Sequence, residues 1–177
     1  MNTKIMIGII NASPLIYLGK IGAIFLLPKL FTECFTTLIV KKEVLKDDKT
    51  PEFSVLDEFF SNWLSLKEPT NQQLVKKLKE LNIHVGEASI IALAKELQDK
   101  SNENVIIIDD LAARDVARTL DLKVTGTIGI LMKATNLKFI NVGKCKNFLH
   151  ILVNNTTFRI SSALFSKILR EIEKSHE

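Results

Sequence analysis

Apolar positions along the chain form two kinds of run. Some are short and unbroken, as in Val105-Ile106-Ile107-Ile108, and read as strands buried on both faces. Others recur every three or four residues, as Ile90, Ile91, Ala94 and Leu97 do, and read as helices with one face on a core. The two kinds alternate, which predicts a mainly parallel sheet with helices on both sides. Strands are expected over residues 4–10, 36–40, 104–110 and 122–124, with an edge strand over 63–67. Two short helices follow the first strand, and further helices are expected over 42–47, 57–64, 86–98, 111–120, 146–153 and 161–173. One more starts at an N-cap on Thr70, with Leu74, Leu78 and Leu81 on one face opposite Lys76 and Lys79. The last is capped by Ser161 and carries Leu164, Ile168 and Ile172. A tight strand-to-helix turn is expected at Thr125-Gly126-Thr127-Ile128-Gly129. With no repeat and no low-complexity linker, residues 1–177 read as a single domain with a helical C-terminal extension from about residue 140.

Composition agrees with one core. A chain of 177 residues that is 46% hydrophobic can bury about 70% of its unfolded surface. The apolar stretch 5–30 is interrupted by Asn11, Ser13, Pro14, Lys20 and Pro28, too often for a signal peptide or a membrane span. Cys34 and Cys145 are far apart in sequence and belong to no Cys/His cluster. They fit small buried thiols of a reducing compartment, and the expected location is cytoplasmic. A net charge of +4 and a pI near 9.0 permit an RNA partner without requiring one. The clusters Lys41, Lys42, Lys46, Lys49 and Lys76, Lys77, Lys79 read first as solvated helix faces.

Chemistry concentrates where strands end. The run 104–110 closes on Asp109 and Asp110, which places carboxylates at the sheet edge where α/β folds bind ligands. Glu87 opens the helix over 86–98. Acids gathered this way point to metal-ion chemistry. Each also has a plainer reading: Asp110 can cap the following helix, Glu87 can face a helix dipole, and Asp47 can lie on a solvated surface. Asn11 can hydrogen-bond the turn before Ser13-Pro14. Arg114 and Arg118, one turn apart, can pair with surface acids or meet a phosphate. The turn around Thr127 resembles a phosphate cradle at a helix N-terminus, a weak signal alone. His84, His150 and His176 form no motif, which gives no support to a histidine zinc site or a Ser-His-Asp triad.

Four blocks together carry a family likeness: Asn11-Ala12-Ser13-Pro14-Leu15-Ile16, Gly86-Glu87-Ala88-Ser89-Ile90-Ile91-Ala92-Leu93-Ala94, Ile108-Asp109-Asp110 with Ala113-Arg114, and Thr125-Gly126-Thr127-Ile128-Gly129-Ile130-Leu131. The chain resembles PIN-domain proteins, specifically the prokaryotic branch DUF3368, over nearly its whole length. The resemblance implies a compact three-layer α/β fold and a Mg2+- or Mn2+-dependent ribonuclease, a class that includes toxins of type II toxin-antitoxin pairs. By the same resemblance, the first family acid is replaced by Asn11, with Ser13 two places on. The second falls on Asp47, the third on Glu87 and the fourth on Asp110 with Asp109 beside it. Glu87, Asp110, Asp109 and Asp47 would then hold the metal, while Ser13, Arg114 and Thr127 would contact substrate. An amide in place of a carboxylate gives a hard cation a neutral oxygen only, so metal affinity should fall.

The expected function is therefore metal-dependent RNA cleavage by activated water, with RNA and an antitoxin protein as partners, a homodimer or higher oligomer, and no membrane. A non-catalytic binding module that kept the fold, with Asn11 marking lost metal affinity, is the first alternative. A receiver-like phosphoacceptor domain ranks below it, because such domains place their acid pair after the first strand, where this chain has Asn11.

Overall fold

The computed structural model describes residues 6–98 and 104–174. In chain order the elements are β1 (Ile7–Ile10), α1 (Ala12–Lys20), a 3-10 turn (Ile24–Leu26) leading into α2 (Leu27–Leu30), β2 (Glu33–Thr36), α3 (Leu38–Val44), α4 (Phe53–Asn62) and β3 (Ser65–Leu66). Then follow α5 (Gln72–Glu80), α6 (Val85–Gln98), β4 (Asn104–Ile107), α7 (Leu111–Thr119), β5 (Lys123–Thr125), α8 (Thr127–Asn136), α9 (Val142–Asn155) and α10 (Ser162–Lys174).

The strands form one all-parallel sheet in the order β3-β2-β1-β4-β5. Helices α5, α6 and α7 associate, with α6 lying on β1 and β4, while α1 packs with α3, α4 and α8, and α8 with α9 and α10. The expected three-layer α/β architecture is therefore present. Parallel strands bury both faces, which is why Ile9, Ile10, Ile106, Ile107 and Ile108 are all excluded from solvent. Gly8 lets β1 and β2 close up: a Cβ there would lie 2.8 Å from the buried Cys34 Sγ. Both cysteines are free thiols, and burial raises the Cys34 pKa far above its usual value.

Chain direction makes the carboxyl ends of all five strands share one edge. The chain leaves β1 toward β2 on one side and reaches β4 and β5 on the other, so strand order reverses between β1 and β4. A crevice opens at such a switch point. Two backbone hydrogen bonds staple this edge: Asn11 N–H to Ile107 O at 3.0 Å and Ile108 N–H to Thr125 O at 2.9 Å.

Several boundaries differ from the pattern reading, each for a packing reason. The second strand covers Glu33–Thr36, not 36–40, and 38–44 is helical despite its β-branched residues. Val40 and Val44, four apart, are both buried, and that tertiary burial overrides strand propensity. The helix expected over 42–47 thus starts earlier and stops before Asp47. Asn71, not Thr70, caps α5 by accepting the Leu74 N–H at 3.0 Å. The buried face of α5 is Val75 and Leu78, whereas Leu81, at the C-cap, is 63% exposed. Helix α4 starts at Phe53, and α9 runs from Val142 behind an Asn141 cap. Ser161 caps α10 as expected, and Ile168 and Ile172 are buried, but Leu164 is exposed beside a cavity. Lys4 and Ile5 of the expected first strand, and the polar stretch from Asp99 to Glu103, lie outside the described residues. Among the described residues no single helix is long and apolar enough to cross a membrane; one bent pair, Ala12–Lys20 with Ile24–Leu30, meets the criterion only as two segments at 115°.

Candidate metal centre and nucleic-acid edge

Asn11 follows directly on β1, and backbone pairing with β4 fixes its position. Its side chain is buried, and Nδ2 donates to Glu87 Oε1 at 3.2 Å. Glu87 projects from the first turn of α6, where the partial positive charge of the helix N-terminus favours a carboxylate. Two oxygens of this pair, Asn11 Oδ1 and Glu87 Oε2, are buried and accept no hydrogen bond. Buried polar atoms normally find partners, so a pair of acceptors left open at a sheet edge marks a place for a cation or water.

Two further side chains complete the cluster. His84 Nδ1 lies 3.2 Å from Glu87 Oε2 and also faces the Gly86 amide at 3.4 Å. Glu43, on α3, is close enough to Glu87 for repulsion to act: burial first, then the Glu87 charge, raises its pKa, while His84 and Lys46 oppose the shift. Gly86 explains how these groups come together. A Cβ at that position would sit 3.2 Å from Glu43 Oε2, 3.6 Å from Asn11 Oδ1 and 3.6 Å from His84 Nδ1. The missing side chain leaves a small cradle lined by acid, amide and imidazole.

Asp47 is not part of this cluster. It lies in the turn after α3, exposed, and its Oδ1 accepts the Lys49 N–H at 3.0 Å. Asp109 is on the same sheet edge but is spent on structure: Oδ1 accepts the Thr127 amide at 2.8 Å and Oδ2 the Thr127 hydroxyl at 2.6 Å. Burial raises its pKa, partly offset by the Thr127 hydroxyl and amide and by the Arg114 charge. Thr127 is fully buried, so its hydroxyl positions Asp109 and is withheld from substrate. Asp110 caps α7 through the Ala113 N–H at 2.8 Å, and its carboxylate is exposed with one oxygen to spare. Ser13 is half-buried in the first turn of α1. Arg114 Nη1 donates to Ile108 O at 3.3 Å.

Sequence reading therefore finds Asn11 and Glu87 and misses Glu43 and His84. For Glu43 the missing signal was the start of α3. Once the helix begins at Leu38, Val40 and Val44 face the core, and Glu43 stands one residue from Val44 at the helix end. For His84 the signal was its place three residues before Glu87, a separation that brings side chains together on a helix.

As a fit test for Mg2+ or Mn2+, the donor chemistry agrees and the enclosure is partial. Asn11 Oδ1, Glu87 and Glu43 are oxygen donors of the type hard cations take; Asn11 Oδ1 accepts no hydrogen bond, and Glu87 Oε2 faces only the His84 imidazole. Among the described residues no group of three or more His, Cys, Asp or Glu side chains is arranged to hold a metal ion. Magnesium is often held by one or two carboxylates and keeps several waters, so an open oxygen-lined cradle suits it better than a closed site would.

A search among curated proteins finds no match. A family model described as DUF3368, PIN domain, matches residues 7–174, the stretch that contains the whole sheet, Asn11, Glu43, Glu87 and Asp110. By that match the chain belongs to the DUF3368 family of PIN domains, a fold associated with nucleases.

Proposed function

We propose that this protein is a metal-dependent ribonuclease of the PIN type, using Mg2+ or Mn2+. The observation that carries the reading is the pair of buried oxygens on Asn11 and Glu87 that accept no hydrogen bond, beside Glu43 at the point where strand order reverses. Glu87 and Asn11 would hold the ion, with Glu43 as the second carboxylate and Asp110 contributing from the next strand end. When bound, such an ion supplies positive charge against the transferring phosphoryl group and acidifies water at the site. The chain's own groups do the rest. Asn11 Nδ2 fixes the Glu87 carboxylate, Thr127 fixes Asp109, and Arg114 brings a guanidinium to the edge where an RNA backbone would pass.

The test is cleavage of a single-stranded RNA with and without Mn2+. Glu87→Gln should abolish Mn2+-stimulated cleavage while the thermal unfolding curve stays cooperative. Full wild-type activity in excess chelator would remove the metal mechanism. A toxin role, with an antitoxin partner and a homodimeric or larger assembly, is the narrower form of this reading; growth arrest on expression, relieved by Glu87→Gln, would support it.

A second reading has its own support. With Asn11 at the first acid position and Asp109 tied to Thr127, the fold can serve as a non-catalytic binding module. Calorimetric titration with Mn2+ separates the two: a saturable heat that Glu87→Gln removes favours the enzyme, and no heat favours the module.

A further inference from the structure

A cavity of about 530 Å³ lies beside Asp109, between α7, the start of α8, the segment leading into α10 and the first turns of α10. Three guanidiniums line it: Arg114 and Arg118, one turn apart on α7, and Arg159 from the segment before α10. Asp109 is the one carboxylate in the lining, and both its oxygens already accept hydrogen bonds from Thr127. Much of the remaining lining is apolar, with Val124, Ile128, Phe158, Ile160 and Leu164.

The arginines are held but not used up. Nη1 of Arg114 donates to Ile108 O, Nη1 of Arg118 pairs with Asp115 at 2.8 Å, and Nη1 of Arg159 donates to Thr156 O and Phe158 O. In each case Nε and Nη2 carry no bond among the described residues. These anchors fix the planes of the forks and leave donors open, the arrangement that suits bidentate capture of a phosphate. The first turn of α8 adds to this. Its N-cap is Gly126, which has no side chain to satisfy the Ile128 and Gly129 amides, and both residues line the cavity.

We propose that this cavity is an anchoring subsite for one nucleotide unit of RNA, the phosphate held by Arg114, Arg118 and Arg159 and the base against the apolar side chains of the lining. The proposal rests on the ribonuclease reading and extends it, because Asp109 lines the subsite and sits on the same sheet edge as the metal cradle. Volume and lining agree: a nucleotide has an anionic end and a flat apolar body, and the lining holds both guanidiniums and apolar side chains. The segment 158–164 supplies Arg159 and three of these five apolar residues, which gives the C-terminal helix a role in RNA recognition.

The experiment uses the full chain, without metal and in excess chelator so that nothing is cleaved. Binding of a 3′-fluorescein-labelled single-stranded RNA decamer is followed by anisotropy, with AMP as a competitor. Arg118→Ala with Arg159→Ala should weaken RNA binding at least tenfold, lower the salt dependence by about one to two in slope, and abolish displacement by AMP. Arg118→Lys with Arg159→Lys should recover the salt slope but not the AMP competition, since Lys lacks the fork. Leu164→Glu, which places a carboxylate on an exposed wall position with no core role, should also weaken binding. Unchanged RNA affinity and AMP competition in the Ala pair and in Leu164→Glu would overturn the subsite. Should Glu87→Gln leave cleavage untouched while AMP still competes through Arg118 and Arg159, the metal mechanism fails and the subsite stands. The reverse result fails the subsite alone.

Discussion

Thr127→Val replaces a buried hydroxyl by a methyl of nearly the same size, and its effect should be set by Asp109. In the wild type, Asp109 Oδ2 accepts the Thr127 hydroxyl at 2.6 Å inside a site that already disfavours the charged carboxylate. Hydrogen bonds to charged groups contribute roughly 1.5–3 kcal/mol, and a buried acceptor left open loses about as much. A loss of about 2 kcal/mol follows, which for a domain of this size lowers Tm by roughly 4–8 °C. The pH dependence is the sharper test. The folded-state pKa of Asp109 is raised, so the folded protein binds this proton more tightly than the unfolded chain. Stability from this group is therefore greatest at acid pH, falls as pH rises above the unfolded value of about 3.9, and is fully lost above the folded pKa. Removing the hydroxyl raises that pKa further, so the Thr127→Val penalty should be small near pH 4 and larger at pH 7. Urea unfolding of both proteins at the two pH values measures this. A penalty below about 0.5 kcal/mol at pH 7, or one equal at both pH values, would refute the view that Thr127 holds an ionised Asp109.

Other outcomes follow from the same geometry. Glu43→Gln should reduce Mn2+-stimulated RNA cleavage by about a hundredfold or more, as expected for a carboxylate at the reacting centre, while Asp47→Asn should leave it within about twofold; initial rates of the two variants decide which acid belongs to the site. Asn11→Asp should lower the stability of the metal-free protein, because the Nδ2–Glu87 hydrogen bond becomes a contact between like charges, and should raise Mn2+ affinity. Differential scanning calorimetry with and without Mn2+ checks both signs, and a metal-free Tm equal to wild type would contradict the pairing of Asn11 with Glu87.

Much of the site was legible because local chemistry left a mark. A strand that ends on Asp109 and Asp110 declares itself, and Glu87 in a first helical turn is a local signal. Asn11 was readable only through the family resemblance, since an amide before Ser13-Pro14 also suits an ordinary cap. Asp47 shows where local pattern misleads: it lies in the turn beyond α3, outside the cluster around Glu87. Leu38-Ile39-Val40 has strand propensity, which predicts a helix only from 42 to 47, whereas α3 spans Leu38–Val44 and ends before Asp47. Arg159 carried no chemical pattern, because the other guanidiniums of the cavity, Arg114 and Arg118, come from α7, more than 40 residues away in sequence.

Apolar periodicity alone settled the alternation of strands and helices, and with it a parallel sheet with its acids at one edge, because burial of parallel strands demands unbroken apolar runs wherever it occurs. Tertiary structure decided which acids meet. Glu43 reaches Glu87 only because Val40 and Val44 turn α3 onto the core, and the two carboxylates share a cradle only because Gly86 has no side chain to fill it. Asp109 is withdrawn from the cradle by Thr127, 18 positions away, a pairing that requires β4 and β5 to lie side by side. Such distances are set by packing between elements, and no local run of residues encodes them.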